Sequence, residues 1–97
     1  MNNITITTND KLVLLEINKD ELLKNFISNK KKPISFGLEN LIPIVLSIPA
    51  SIASSIVANK IIEIYKKKSG EVNIYINNIE VNVTNVEYII KKLDENN

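Results

Sequence analysis

The chain has 97 residues, 44% of them hydrophobic and 24% charged, with a formal net charge of +1. That is one domain's worth of sequence, with enough apolar material for a core and no global field to recruit nucleic acid or an anionic membrane. It holds 18 Ile, 15 Asn and 12 Lys but no Arg, His, Trp or Cys, which excludes disulfides, thiolate nucleophiles, imidazole bases and guanidinium clamps.

Catalysis would have to rest on carboxylates, Lys, Ser or Tyr, and the chain is not expected to be an enzyme. The Ile, Asn and Lys bias is that of AT-rich codons, as in a low-GC bacterium or its phage. Met1-Asn2-Asn3-Ile4 shows no basic stretch ahead of an apolar run, so no secretion signal is expected and a cytoplasmic location is.

Ile4-Thr5-Ile6-Thr7 alternates with period two, Thr8 to Lys11 supplies turn residues, and Leu12 to Ile17 reads as a second strand. An N-terminal hairpin is predicted. Asn18 with Glu21 fits a capping box for a short helix over 19–28 that presents Leu22, Leu23, Phe26 and Ile27 to a core. Asn29 to Gly37, with three Lys and Pro33, marks a connection.

Residues 40–59 contain no charge. A long central helix is expected there, kinked or preceded by a short helical lead-in because of Pro43 and Pro49, its main segment capped by Ser47, carrying Pro49 in its first turn and ending near Lys68, with Gly70 as a left-handed stop. Ser47, Ser51, Ser55 and Asn59 recur every four residues, and with Ser54 and Ala58 they form the small-residue stripe proposed as an interaction surface. The rest of that helix is apolar, so it needs surroundings of protein or of lipid. Two lysine triplets flank it. Lys30, Lys31 and Lys32, with Lys66, Lys67 and Lys68, are the candidate contacts for an anion or a lipid headgroup.

Val72, Ile74 and Ile76 alternate with Asn73 and Tyr75, and Ile79, Val81 and Val83 with Glu80 and Asn82. Asn77-Asn78 supplies the two-residue turn of a second hairpin. Thr84 and Glu87 suggest a capping box for a last helix with Val86, Ile89, Ile90 and Leu93 on one face, and 94–97 should fray. The acids Asp10, Glu16, Asp20 and Glu21 match no metal loop. With only Gly37 and Gly70 there is no phosphate cradle, so neither metal nor cofactor is expected.

The fold expected is α+β in one domain, 1–97: two hairpins forming a small sheet against the long apolar helix, with a short helix before it and another at the C-terminus. Residues 48–58 with Lys66-Lys67-Lys68, followed by the 72–83 strands and the last helix, resemble the effector-associated constant component family of bacterial conflict systems. That resemblance implies a non-catalytic component of a bacterial immunity system working beside a separate effector, and it brings no catalytic residues.

Three functions stay open on sequence. The first is a non-catalytic interaction and oligomerisation module of bacterial defence or phage counter-defence, binding a protein partner or itself. The second is a small membrane-inserting effector whose residues 40–62 span the bilayer. The third is a phage inhibitor that binds a host protein or a nucleotide signal. No nucleic acid is expected as a partner, and a small-molecule ligand is not excluded.

Overall fold

Asn2–Thr8 form strand β1, whose even-numbered residues are buried while the odd-numbered ones are open or half-open. The structure is a computed structural model that describes residues 2–28, 42–83 and 85–95. Helix α1 (Lys11–Lys19) follows, then a short 3₁₀ helix (Leu23–Phe26), β2 (Ile42–Ile48), α2 (Ser54–Lys66), β3 (Val72–Ile76), β4 (Ile79–Glu80) and α3 (Val86–Asp94). The strands form one antiparallel sheet in the order β2-β1-β3-β4. The α+β class and the small sheet are as expected, but only β3 and β4 form a hairpin.

One face of the sheet carries the core. Ile4 and Ile6 lie between Ile44, Leu46 and Ile48 on one side and Val72, Ile74 and Ile76 on the other. Val13 and Ile17 of α1, Val57, Ala58, Ile61 and Ile64 of α2, and Ile89 and Leu93 of α3 close over them. Each fully buried Ile or Leu contributes roughly 1.5–3 kcal/mol of transfer free energy. Two polar residues at the ends of β1 are buried with them and both are bonded. Asn2 Nδ2 donates to the Leu93 carbonyl at 3.1 Å, and Thr8 Oγ1 donates to the Glu71 carbonyl at 2.7 Å.

The expected N-terminal hairpin is absent: Leu12 to Ile17 belong to α1. A short apolar run suits either period, and Asp10, read as a turn residue, is instead the N-cap, accepting from the Leu12 N–H at 2.9 Å. The helix expected over 19–28 shrinks to a 3₁₀ turn. Asn18 lies inside α1 and donates to the Leu14 carbonyl, while Asp20 caps the next turn by accepting from Leu22 and Leu23 at 2.9 and 3.0 Å. Ile27 bridges to Leu46, so the chain runs briefly beside β2.

The long central apolar helix resolves into two elements. Ile44, Leu46 and Ile48 point to the core and Pro43, Val45 and Ser47 away from it, a period-two pattern hidden because the outward residues are uncharged too. Pro43 lies on an edge strand of the sheet, where a missing amide is tolerated. The helix starts only at Ser54, behind Ala53, which makes no side-chain cap bond; Pro49 sits in the connecting turn, its carbonyl accepting from Ile52 at 3.1 Å.

Asn77 and Asn78 adopt φ of 51° and 72°, the paired positive values of a two-residue hairpin turn. β4 is shorter than expected, although Val81 still bonds to the Ile74 carbonyl at 2.9 Å and Val81 and Val83 are buried. The cap of α3 is Asn85, accepting from Glu87 and Tyr88, and Thr84 lies outside the described residues.

The two turn asparagines differ. The Asn77 side chain accepts from the Asn3 N–H and donates to Asn2 Oδ1, both at 2.9 Å, whereas Asn78 contributes its backbone. Asn78→Gly is therefore expected to leave stability unchanged or raise it by up to about 1 kcal/mol. Asn77→Gly is expected to lower it by about 1–2 kcal/mol through lost hydrogen bonds. Urea denaturation of both variants checks the contrast.

Candidate interaction surface

The sheet face opposite the core is built by the odd-numbered residues of β1 and their register partners. Val45, Thr5 and Tyr75 form one row across three strands, and Pro43, Thr7 and Asn73 form another. Ser47 pairs with Asn3 and donates to its Oδ1 at 3.4 Å. None of these outward residues is charged; the first acid is Glu80, opposite Tyr75 on β4. All but Asn3 are half-buried. The buried side chains of α1, α2 and α3 all join the core on the other face, so no described helix covers this one.

The residues expected to form one small-residue stripe are dispersed. Ser47 is on the open sheet face and Ser51 is exposed in the turn before α2. Ser54 begins α2 and donates to Asp94 Oδ1 at 2.5 Å, tying α2 to α3. Ala58 is fully buried in the core, while Ser55 and Asn59 are exposed, the Asn59 amide donating to the Ser55 carbonyl at 2.8 Å. The four-residue recurrence needed a continuous helix, and the change to strand and turn before residue 54 removes it.

The second lysine triplet is at the end of α2. Lys67 pairs with Glu16 of α1 at 3.4 Å, Lys68 lies 5.0 Å from the Tyr65 ring centroid, and Lys66 is exposed. Lys30, Lys31 and Lys32 lie outside the described residues.

The acids singled out by sequence are used to join elements. Asp10 Oδ2 accepts from the Ser69 N–H at 2.5 Å, the Ser69 hydroxyl at 3.1 Å and the Gly70 N–H at 2.9 Å, while its other oxygen caps α1. The Ser69 amide foremost, with the Gly70 and Leu12 amides and the Ser69 hydroxyl, holds its carboxyl down at about 2 against the opposing effect of burial. Gly70 has no positive φ and is not a left-handed stop; it is there for close approach, since a Cβ would come 2.6 Å from Asn9 Oδ1 and 3.2 Å from the Asp10 Cβ. Asp20 is buried enough to favour its neutral form, but the Leu23 and Leu22 amides and Lys60, 3.0 Å away, outweigh that and lower its pKa; the same bond raises that of Lys60.

No protein-family model matches the sequence, and no curated protein or solved structure matches it significantly. Among the described residues, no group of three or more His, Cys, Asp or Glu could hold a metal ion, and no helix is long and apolar enough to cross a membrane. Sequence reasoning missed the open sheet face because it read 42–48 as helix. The signal was present in the alternate positions of 3–7, 43–47 and 73–75, all uncharged.

Because the folded pKa of Asp10 lies below its unfolded value, its contribution to stability is full above about pH 4 and fades as pH falls toward 2. Asp10→Asn is expected to lower the melting temperature at pH 7, with the gap to the parent protein narrowing below pH 4. Thermal denaturation from pH 7 to pH 2 measures it. Gly70→Ala is expected to cost about 1–2 kcal/mol by displacing the Asn9 acceptor from the Glu71 N–H, now 3.0 Å away.

Proposed function

We propose that this chain is a non-catalytic interaction module that presents its uncharged sheet face to a protein partner and works beside a separate effector in a bacterial conflict system. The observation that carries the interaction reading is that face: three strands of Thr, Asn, Val, Pro, Ser and Tyr with no described helix over them. Such a surface loses water at less cost than a charged one, and Tyr75 in its central row is the kind of rigid amphipathic side chain on which interfaces centre. The short β4 makes lateral addition of a strand at that edge a poor alternative.

The conflict-system setting rests on the resemblance of 48–58, 66–68 and 72–83 alone. A role without chemistry is supported by the engagement of Asp10 and Asp20 in caps and loop bonds, which leaves neither oriented as a base. The membrane-inserting reading needed 40–62 as one helix, and within it 42–48 is a strand and 49–53 a turn. No specific observation favours nucleotide sequestration, since Lys67 and Lys68 have partners within the chain.

A photo-reactive residue placed at Tyr75, with Lys66 as control, tests the surface in producing cells. A protein crosslinked through position 75 and not through 66 is the expected result. Thr5→Arg with Thr7→Glu, the photo-reactive residue kept at 75, should abolish it while shifting the melting temperature by no more than about 5 °C. No crosslink at 75, or equal crosslinking at both positions, overturns this use of the sheet face.

A further inference from the structure

α2 lies between two helices. Lys60 and Lys67, seven residues apart, reach Asp20 and Glu16 on the α1 side, while Ser54, about 120° round the helix from Lys60, reaches Asp94 of α3. α1 and α3 therefore flank the helical layer on opposite sides, each with an outward face.

The two faces are complementary. The exposed residues of α1 are Lys11, Leu12, Leu15, Asn18 and Lys19, with no acid among them; Leu12 and Leu15 are 56% and 52% exposed. Neither lysine has an ion-pair partner among the described residues. On α3 the exposed residues are Glu87, Tyr88, Lys91 and Asp94, with Glu95 at its end. Asp94 accepts from Ser54, Glu95 pairs with Lys92 at 3.6 Å, Lys92 also lies 5.6 Å from the Tyr88 ring centroid, and Glu87 has no ion-pair partner among the described residues. Lys11 and Lys19 are eight residues apart, as are Glu87 and Glu95, a rise of about 12 Å in each helix. Laid antiparallel, the helices bring Lys11 opposite Glu95 and Lys19 opposite Glu87, with Leu12 and Leu15 over the stretch that carries Asp94 and Lys91 and Tyr88 near Asn18. Lys11 in the first turn of α1 and Glu95 at the end of α3 each oppose their own helix dipole, and an antiparallel seating pairs them with each other.

We propose that copies of this chain associate head to tail, the Lys11–Lys19 face of α1 in one copy seated on the Glu87–Glu95 face of α3 in the next. The proposal deepens the oligomerisation part of the function above and uses a surface other than the sheet face, so either can fail alone. Because the docking faces differ and lie on opposite flanks, the contact is heterologous and builds a ring or an open filament rather than a closed two-fold dimer. Two helices of about 13 Å make a contact below the standard interface size, so association is weak, reversible and sensitive to salt.

Sedimentation equilibrium of the full chain at low and high salt tests it. The weight-average mass is expected to rise to at least about twice the monomer near 1 mM at low salt and to return to monomer near 0.5 M salt. The pair Lys11→Glu with Lys19→Glu, and the pair Glu87→Lys with Glu95→Lys, should each be monomeric alone and associate when mixed in equal amounts, circular dichroism confirming that both fold. A monomeric parent protein overturns the proposal, as does an α3 variant that still associates alone, the mark of an α1-to-α1 dimer. Binding of the parent chain to phosphatidylglycerol vesicles without self-association overturns it in favour of a lipid surface. None of these results bears on crosslinking through Tyr75, which judges the sheet face separately.

Discussion

The structure depends on β1 having to pair on both edges while burying one face. Its amides and carbonyls run in register with β2 on one side and β3 on the other, and Ile4 and Ile6 are wholly enclosed. Its two end residues, Asn2 and Thr8, are buried polar residues, and leaving either unsatisfied would cost about 1–3 kcal/mol. Asn2 and Thr8 meet that requirement by bonding to Leu93 and Glu71. The same bonds that satisfy the ends of β1 therefore fix where α3 finishes and where the chain enters β3.

The helical layer follows from a second requirement, the junction between α1 and the end of α2. Asp10 is the cap of α1 and the acceptor for the Ser69 and Gly70 amides, so one carboxylate closes a helix start and a loop together. Gly70 makes that approach sterically permissible. Lys60–Asp20 and Lys67–Glu16 then run along the seam between α1 and α2. The exposed Lys67–Glu16 pair adds little stability, but with the half-buried Lys60–Asp20 pair it sets which side of α2 faces α1 and so which residues are left outward.

The described helices all lie on one face of the sheet. Among the described residues no helix covers the other face, an uncharged and largely half-buried surface of three strands, and α1 and α3 turn outward faces of opposite charge. The chain has no imidazole, thiol or guanidinium; the surfaces proposed above for recognition are a sheet face, an apolar-basic helix and a helix richer in acids. The recognition surface and the self-association surface proposed above lie on different sides of the molecule.

Much of the C-terminal third was legible directly. The alternation of Val72 to Ile76, the Asn77-Asn78 turn and the apolar face of α3 each follow from a local rule that the neighbours do not contest. So was the α+β class, since strand and helix periods both appear in the chain. Residues 42–48 and 11–19 were different, because an uncharged run such as Ile42-Pro43-Ile44-Val45-Leu46-Ser47-Ile48 satisfies helical and strand periods alike. Pairing with β1 made the first a strand, and the Asp10 cap with burial of Val13 and Ile17 made the second a helix. The dispersal of the serines, the open sheet face and the opposed helix faces follow from those two outcomes. Composition and local period determined the inventory of this protein; only long-range pairing, which no short window of sequence contains, decided which surfaces it turns outward.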